Sequence, residues 1–238
     1  MWDYPFLFLT FAKNLKHTKA YIIEMKSLLI AIMFCLPIAV LAQSEWDELE
    51  YEAPASKSKS KSKSVSETHN PDQKYLVGAV PLVDGRVLFE KEISAPGKTA
   101  AQVFSIVEAY MTKMTTQKNQ FEQSHITLRD TLKTTVNGAY QEWLVFKNKP
   151  LELDRTRFLY NLSAECHDGK VILRLGHIYY LYDEERVPTT YKAEEWITDE
   201  YGLKKNKQKL SRVTGKFRRK TIDRKDYIFG KIEELLNQ

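Results

Sequence analysis

Residues 158–180 read FLYNLSAECHDGKVILRLGHIYY and determine most of the predicted sheet. Apolar and polar residues alternate on both sides of Asp168-Gly169, which predicts two antiparallel strands joined by a type I′ turn. A two-residue loop also fixes which residues face each other across the strands. The predicted pairs are Cys166 with Val171, Ala164 with Leu173, Leu162 with Leu175, Tyr160 with His177, and Phe158 with Tyr179. The other face carries Glu165, Ser163, Arg174 and Asn161, which indicates a sheet covered on one side and hydrated on the other.

Two more dipeptides of the same kind predict two more hairpins. Asp84-Gly85 gives an apolar face and a mixed face, and Asn137-Gly138 predicts a third reversal. The predicted pairs are Leu82 with Val87, Val80 with Phe89, Leu76 with Ile93, Ala79 with Glu90, Val77 with Glu92, and Leu132 with Trp143. Leu144 and Phe146 are apolar on the opposite face of the third hairpin, so a bulge or a second buried surface stays open there.

Two helices complete the predicted domain. Thr99 and Gln102 form a capping box that starts the first, and Asp223 is the expected N-cap of a second that ends near Leu236. Residues 193–200 are expected to form a short helix. The helical stripes are Val103, Ile106, Val107, Tyr110, Met111 and Met114, and then Tyr227, Ile228, Ile232, Leu235 and Leu236. The class is therefore α+β, in a helix-grip-like arrangement. A curved antiparallel sheet of about six strands in three hairpins carries one helix after the first hairpin and a C-terminal helix on one face.

The N-terminal third of the chain is expected to lie outside this domain. Residues 25–42 combine Met25-Lys26, an apolar run and small residues up to Ala42, which is typical of a signal peptide cleaved after Ala42. The run is too short for a membrane span, which needs about 20 apolar residues. Residues 1–24 are an upstream extension, and translation from Met1 or from Met25 stays open. Residues 43–73 are predicted to be a disordered charged linker, and residues 74–238 a single domain.

No catalytic, cofactor-binding or metal-binding residue is predicted, and no cofactor. Cys166 and His167 are neighbours on a strand, so their side chains point to opposite faces and cannot form a dyad. The histidines are scattered, and His177 is expected to be a hydrogen-bonded core residue opposite Tyr160. After signal cleavage only Cys166 remains, so no intramolecular disulfide is possible.

A basic C-terminal region is the one candidate contact surface. Residues 203–238 hold twelve Lys and Arg against four Asp and Glu, in a chain of net charge +5. Such a density attracts phosphate groups or polyanions, although a merely hydrated basic face is the alternative. Between Lys204 and Lys220 the one aromatic residue is Phe217, so sequence-specific nucleic-acid binding is not indicated. The candidate residues are Lys204, Lys205, Lys207, Lys209, Arg212, Lys216, Arg218, Arg219 and Lys220.

Residues 75–97 carry a family resemblance. Tyr75–Pro81 leads into Val83–Phe89, and Ile93–Gly97 then precedes a helix. This order resembles the opening of a family of domains of unknown function in exported Bacteroidetes proteins, described as having a TBP-like fold. The resemblance implies a curved antiparallel sheet with helices, an envelope or extracellular location, and no assigned activity.

These observations favour a non-catalytic exported binding module of the cell envelope or extracellular space, periplasmic or secreted. Its partner is unknown, and an anionic envelope component or another protein would fit. One alternative is a hydrolase whose site is assembled from residues distant in sequence. Another is a structural or interaction protein that pairs through an exposed sheet edge. The mature chain is expected to have no transmembrane segment.

Overall fold

The structure, a computed structural model, describes residues 70–149, 152–184 and 186–238. The predicted extension, the predicted signal peptide and the predicted linker up to residue 69 lie outside these described residues. The described elements are β1 (Leu82–Val83), β2 (Arg86–Ser94), α1 (Ala100–Met114), β3 (His125–Asp130), β4 (Thr135–Lys149), β5 (Glu152–His167), β6 (Lys170–Tyr182), β7 (Thr189–Lys192) and α2 (Thr214–Leu236). Short 3-10 helices cover Gln73–Tyr75 and Ala193–Glu195.

The seven strands that the structure describes form one antiparallel, unclosed sheet. Their order is β1-β2-β6-β5-β4-β3, and β7 pairs with β6. Both helices contact the sheet, α1 mainly through β4 and β5 and α2 through β2 and β4. The predicted α+β class, the helix after the first hairpin and the C-terminal helix are therefore confirmed. Neither helix is long and apolar enough to span a membrane, within the part of the chain that the structure describes.

The β5–β6 hairpin follows the prediction up to a bulge. Cys166–Val171, Ala164–Leu173 and Leu162–Leu175 are partners as predicted. Beyond them the register shifts, so that Phe158 pairs with Tyr180 and the predicted pairs Phe158–Tyr179 and Tyr160–His177 are wrong.

His177 is the residue that the bulge inserts. Two residues of β6, His177 and Ile178, stand opposite Tyr160 alone, and His177 has a left-handed backbone with φ 52°. The bulge turns Ile178 into the core and His177 out to solvent. His177 is therefore not a core histidine, contrary to the prediction.

The first hairpin is shorter than predicted. Leu82 pairs with Val87, but β1 has only two residues. β2 pairs instead with β6, with Phe89 opposite Leu175. The predicted pairs Val80–Phe89, Leu76–Ile93, Ala79–Glu90 and Val77–Glu92 are therefore wrong. The Pro81 carbonyl still accepts from the Leu88 N–H of β2 at 3.3 Å. Upstream of Pro81 the chain is folded into turns, where the Tyr75 and Leu76 carbonyls accept from Arg218 of α2 and the Gly78 N–H donates to Asp199.

The middle reversal lies before Asn137-Gly138, which is inside β4. The turn connects Asp130 to Thr135, and Asp130 Oδ1 accepts hydrogen bonds from the backbone N–H groups of Leu132 and Lys133. Leu132 is 96% exposed at its tip, so the predicted Leu132–Trp143 pair is wrong. Gly138 serves a different purpose, because a Cβ there would lie 2.6 Å from the ring of Tyr140.

The helices begin where different signals place them. Thr99 and Gln102 form the predicted capping box of α1. α2 begins at Thr214 after Val213, which provides no side-chain cap, so the predicted start at Asp223 is wrong. Asp223 instead accepts hydrogen bonds from Lys74 and Tyr75 at 2.7 Å each. The expected helix over residues 193–200 is reduced to its first 3-10 turn.

Candidate functional site

The space between the sheet and α2 is filled by side chains. Phe217 of α2 packs edge-on against Tyr180 of β6, with ring centroids 5.1 Å apart. Phe158 stacks on Tyr180 at 5.7 Å, and all three residues are fully buried. The Tyr180 hydroxyl and the Thr221 hydroxyl are hydrogen-bonded at 2.6 Å. This region is therefore a packed core and offers no room for a ligand among these residues.

A buried ion pair joins α2 to β4 within this core. The Arg224 guanidinium donates to both oxygens of Glu142 at 2.8 and 2.7 Å, and each side chain is only 1% exposed. Glu142 also accepts from the Asn119 and Gln120 amides at 2.8 and 2.7 Å. Burial alone would lower the pKa of Arg224, but the negative charge of Glu142, its hydrogen bonds and the nearby Tyr160 and Tyr110 hydroxyls together raise it. The pair fixes the helix on the sheet and is shielded from any external partner.

Three arginines on the helix-free face of the sheet contact aromatic rings or carboxylates of the same face. The Arg155 guanidinium lies 3.7 Å from the Trp143 ring centroid, and Arg157 lies 4.0 Å from that of Phe121. Arg157 also makes a two-bond contact with Glu184 at 3.0 and 2.6 Å. At the other end of this face, Arg174 binds Glu90 and Glu165 at 2.6 Å each.

The basic loop, residues 203–212, is the candidate contact surface. The backbones of Leu203 and Leu210 form an antiparallel β-bridge, and the Lys204 N–H donates to the Lys209 carbonyl at 2.9 Å. The loop is therefore a small hairpin whose tip is held by backbone hydrogen bonds. All five of its predicted cations are exposed, and none forms an ion pair with another residue that the structure describes: Lys204, Lys205, Lys207, Lys209 and Arg212.

The remaining four predicted residues lie on α2 and do not join this surface equally. Lys216 binds Asp154 at 2.6 Å, and Arg219 binds Asp72 at 2.5 Å. Lys220 is half-buried. Arg218 is 0% exposed, so its place in a contact surface is corrected. High local charge had indicated a surface role, whereas the guanidinium is used inside the protein.

Arg218 holds the base of the basic loop and the start of the domain. Its guanidinium donates to the carbonyls of Tyr75, Leu76 and Ile197 at 2.6, 2.5 and 2.7 Å, and to Asp199 at 2.7 Å. Burial lowers the pKa of Arg218, and the Asp199 carboxylate opposes that effect. Gly202 allows this packing, because a Cβ there would lie 2.8 Å from Arg218 Cδ. Arg218 is thus a positioning residue for the loop.

Among the residues it describes, the structure does not bring together the candidate nucleophile, Cys166, and a base, or the scattered candidate metal ligands. Cys166 is 1% exposed while His167 is exposed on the opposite face, as strand alternation predicts. Burial raises the pKa of the Cys166 thiol to about 12, which keeps it in the unreactive protonated form. No group of three or more His, Cys, Asp or Glu that could hold a metal ion occurs in residues 70–149, 152–184 and 186–238.

A second concave site was missed from the sequence. It lies at the β6 bulge and is called the edge cleft, after its place where β2 and β7 meet β6, with Arg86, His177, Tyr179, Lys192, Glu194 and Glu195 in its lining. The signal that could have indicated it is the spacing of buried residues. Val171, Leu173 and Leu175 are two apart, but Ile178 follows after three, and this phase change is typical of a bulge.

Comparison with known proteins gives one family. The family described as domain of unknown function (DUF4468) with TBP-like fold matches residues 89–181. A solved DUF4468 family protein from Bacteroides ovatus is 40% identical, with a TM-score of 0.66 over 71% of this chain and 96% of that chain. A TBP-like protein from Parabacteroides distasonis is 16% identical, with a TM-score of 0.53 over 67% and 97%, and supports the fold alone. A search of curated proteins finds no match.

Proposed function

This chain belongs to the DUF4468 family of domains of unknown function with a TBP-like fold, and we propose that it is a non-catalytic, exported binding module that contacts an anionic, phosphate-bearing surface through its basic loop. The observation that carries the proposal is the set of five exposed cations on one hairpin, without ion-pair partners among the described residues. Cations elsewhere in the C-terminal region are paired or buried, as Lys216, Arg219 and Arg218 illustrate.

The chemistry of the loop fits a surface better than a single small anion. Four of the five cations are lysines, whose hydrated ammonium groups act as point charges and do not impose the fixed two-bond geometry of arginine. Each lysine close to an anionic lipid surface contributes about 1 kcal/mol of binding free energy. The four lysines and Arg212 on one hairpin therefore supply enough attraction for a salt-dependent surface contact.

Export is the second part of the proposal, and it is supported by the sequence of residues 25–42 alone. An exported chain meets the anionic lipids and polymers of the envelope, which the basic loop suits. The mass of the mature protein, isolated from the cells that produce it, tests this part. We expect a chain that begins at Gln43, and an unprocessed chain that stays in the cytoplasm would contradict export.

Vesicle flotation tests the loop. Vesicles of phosphatidylglycerol and phosphatidylcholine are compared with phosphatidylcholine alone, using the protein, a Lys204→Ala/Lys205→Ala/Lys207→Ala variant and a matched control. The control, Lys113→Ala/Lys118→Ala/Lys133→Ala, removes three exposed cations from other parts of the surface.

We expect binding to the anionic vesicles only, a loss of affinity on the order of 100-fold in the loop variant, and a much smaller loss in the control. Equal losses in the two variants would show that net charge, and not the basic loop, is responsible. Absence of binding to anionic vesicles at low salt would refute the proposed surface contact.

A further inference from the structure

The edge cleft forms because β6 loses one strand partner and gains another. β2 pairs with β6 as far as Gly176, and β7 starts to pair at Tyr179. His177 and Ile178 lie between these two partner strands, at the bulge. The result is a cleft of about 300 Å³, which is the lower end of the size range of small-molecule sites.

The floor of the cleft contains a residue that core packing does not require. His177 keeps a left-handed backbone, with φ 52°, which costs free energy for any residue other than glycine. Its side chain is exposed, so the imidazole does not repay this cost by burial. A glycine would fit the bulge more easily, and the exposed imidazole is placed where it can contact a ligand in the cleft.

Two cations face the cleft from opposite walls. Arg86 starts β2 on one side, and Lys192 ends β7 on the other. Within the described ranges, neither side chain forms an ion pair or hydrogen bond, and His177 forms none either. These three groups together can donate several hydrogen bonds to one oxyanion, and the guanidinium fork suits a carboxylate or phosphate in particular.

The cleft also contains acceptors. Glu194 Oε1 accepts from the Val87 backbone N–H at 2.8 Å, which holds this carboxylate against the β2 wall. Glu195 lies beside it, exposed and without an ion pair to any residue that the structure describes. Carboxylates repel an anion, but they accept hydrogen bonds from hydroxyl groups. Tyr179, 38% exposed, adds a partly apolar surface.

We propose that the edge cleft binds a small ligand that carries one oxyanion group together with hydroxyl groups. Arg86, Lys192 and His177 hold the oxyanion, and Glu194 and Glu195 accept from the hydroxyls. The site is separate from the basic loop, and its occupancy does not depend on the proposed surface contact.

Titration calorimetry with four probes tests this ligand class on the full chain. Glycerol 3-phosphate and gluconate carry the two oxyanion types with hydroxyls, glycerol lacks the oxyanion, and inorganic phosphate lacks the carbon-bound hydroxyls. We expect glycerol 3-phosphate or gluconate to bind more tightly than glycerol and phosphate, and the preferred member identifies the oxyanion. No binding of either at about 10 mM, or equal binding of glycerol, would overturn the proposal.

Variants then locate the bound probe and test whether positive side chains hold it. Arg86→Ala and Lys192→Ala are each expected to weaken the preferred probe about tenfold, whereas Glu195→Gln should not weaken the oxyanion contact as strongly. Lys118→Ala, an exposed cation elsewhere, and the triple basic-loop variant should bind the probe as the parent does. If the basic-loop variant loses the probe while Arg86→Ala retains it, the edge cleft is not the site.

His177→Gly separates a ligand role from a structural one. Glycine accepts the left-handed backbone, so the unfolding free energy should stay the same or rise, while probe affinity falls. Unchanged affinity would remove the imidazole from the site. Loss of stability together with loss of affinity would mean that His177 acts only through the bulge, which would contradict its proposed contact with the ligand.

Discussion

Arg224 and Glu142 are almost completely removed from solvent, so replacing Arg224 by methionine leaves a carboxylate in the core without its counter-ion. The variant loses two charge-assisted hydrogen bonds of 2.8 and 2.7 Å. Glu142 keeps the Asn119 and Gln120 amides as donors, which carry no positive charge. The methionine side chain fills much of the same volume, so the loss comes mainly from the uncompensated charge rather than from a cavity.

The expected cost follows from this burial. Removing one partner of a buried ion pair typically costs about 3–5 kcal/mol, a large fraction of the roughly 5–15 kcal/mol that stabilises a domain. For a domain of this size the midpoint of thermal unfolding should fall by about 6–20 °C. The matched control is Lys91→Met, because Lys91 pairs with Glu233 while the two side chains are 42% and 44% exposed. That exposed pair should be worth less than about 1 kcal/mol.

Urea unfolding followed by circular dichroism measures both variants, and a second substitution tests the cause. Glu142→Gln keeps an acceptor for the Asn119 and Gln120 amides but removes the negative charge. The double variant Arg224→Met/Glu142→Gln should therefore be more stable than Arg224→Met alone, by about 1–3 kcal/mol. If Arg224→Met costs no more than Lys91→Met, or if Glu142→Gln deepens its loss, the buried pair does not hold α2 as described.

Two further predictions concern Gly138 and Cys166. Gly138→Ala should cost about 1–3 kcal/mol in urea unfolding, because its Cβ would meet the buried Tyr140 ring, which is held by a 2.9 Å bond from its hydroxyl to the Met111 carbonyl. Tyr140→Leu should therefore cost less in the Gly138→Ala background than in the parent, and a purely additive result would exclude the clash. Burial raises the pKa of Cys166 to about 12, so the folded state binds more protons above the unfolded thiol pKa, and this stabilising contribution is lost as the pH rises from about 9 towards 12. The fall in unfolding free energy above pH 9 should be shallower in Cys166→Ala, and identical slopes would contradict it.

The predictable parts of the fold are those set by nearby residues. The partners of Cys166 and Leu162 follow from a turn dipeptide and strict alternation, both of which lie within the same 23 residues. The start of α1 follows from a capping box four residues long. Local sequence signals were sufficient in these places because the tertiary contacts favour the same local conformations.

Prediction failed where a residue served a contact other than the local turn or helix cap that its residue type suggested. Gly138 looked like a turn glycine, but it makes room for the ring of Tyr140 inside a strand. Asp223 looked like a helix cap, but it binds Lys74 and Tyr75, about 150 residues earlier. Val213 carries no cap signal at all, so the true start of α2 had nothing local to mark it. The bulge that builds the edge cleft is the exception, because the three-residue step from Leu175 to Ile178 is visible in the sequence.

The type of cation separates the two uses of the basic C-terminal region. Arg218 and Arg224 are buried, and each directs a planar fork at carbonyl or carboxylate oxygens that a lysine could not satisfy in the same geometry. The exposed loop carries four lysines and one arginine, as suits groups that stay hydrated until a partner arrives. Because Arg218 also supports Gly202 at the base of the loop, its removal would disturb the basic loop without touching its charges. Weak binding by an Arg218 variant would therefore report on loop position, whereas the lysine variants report on contact.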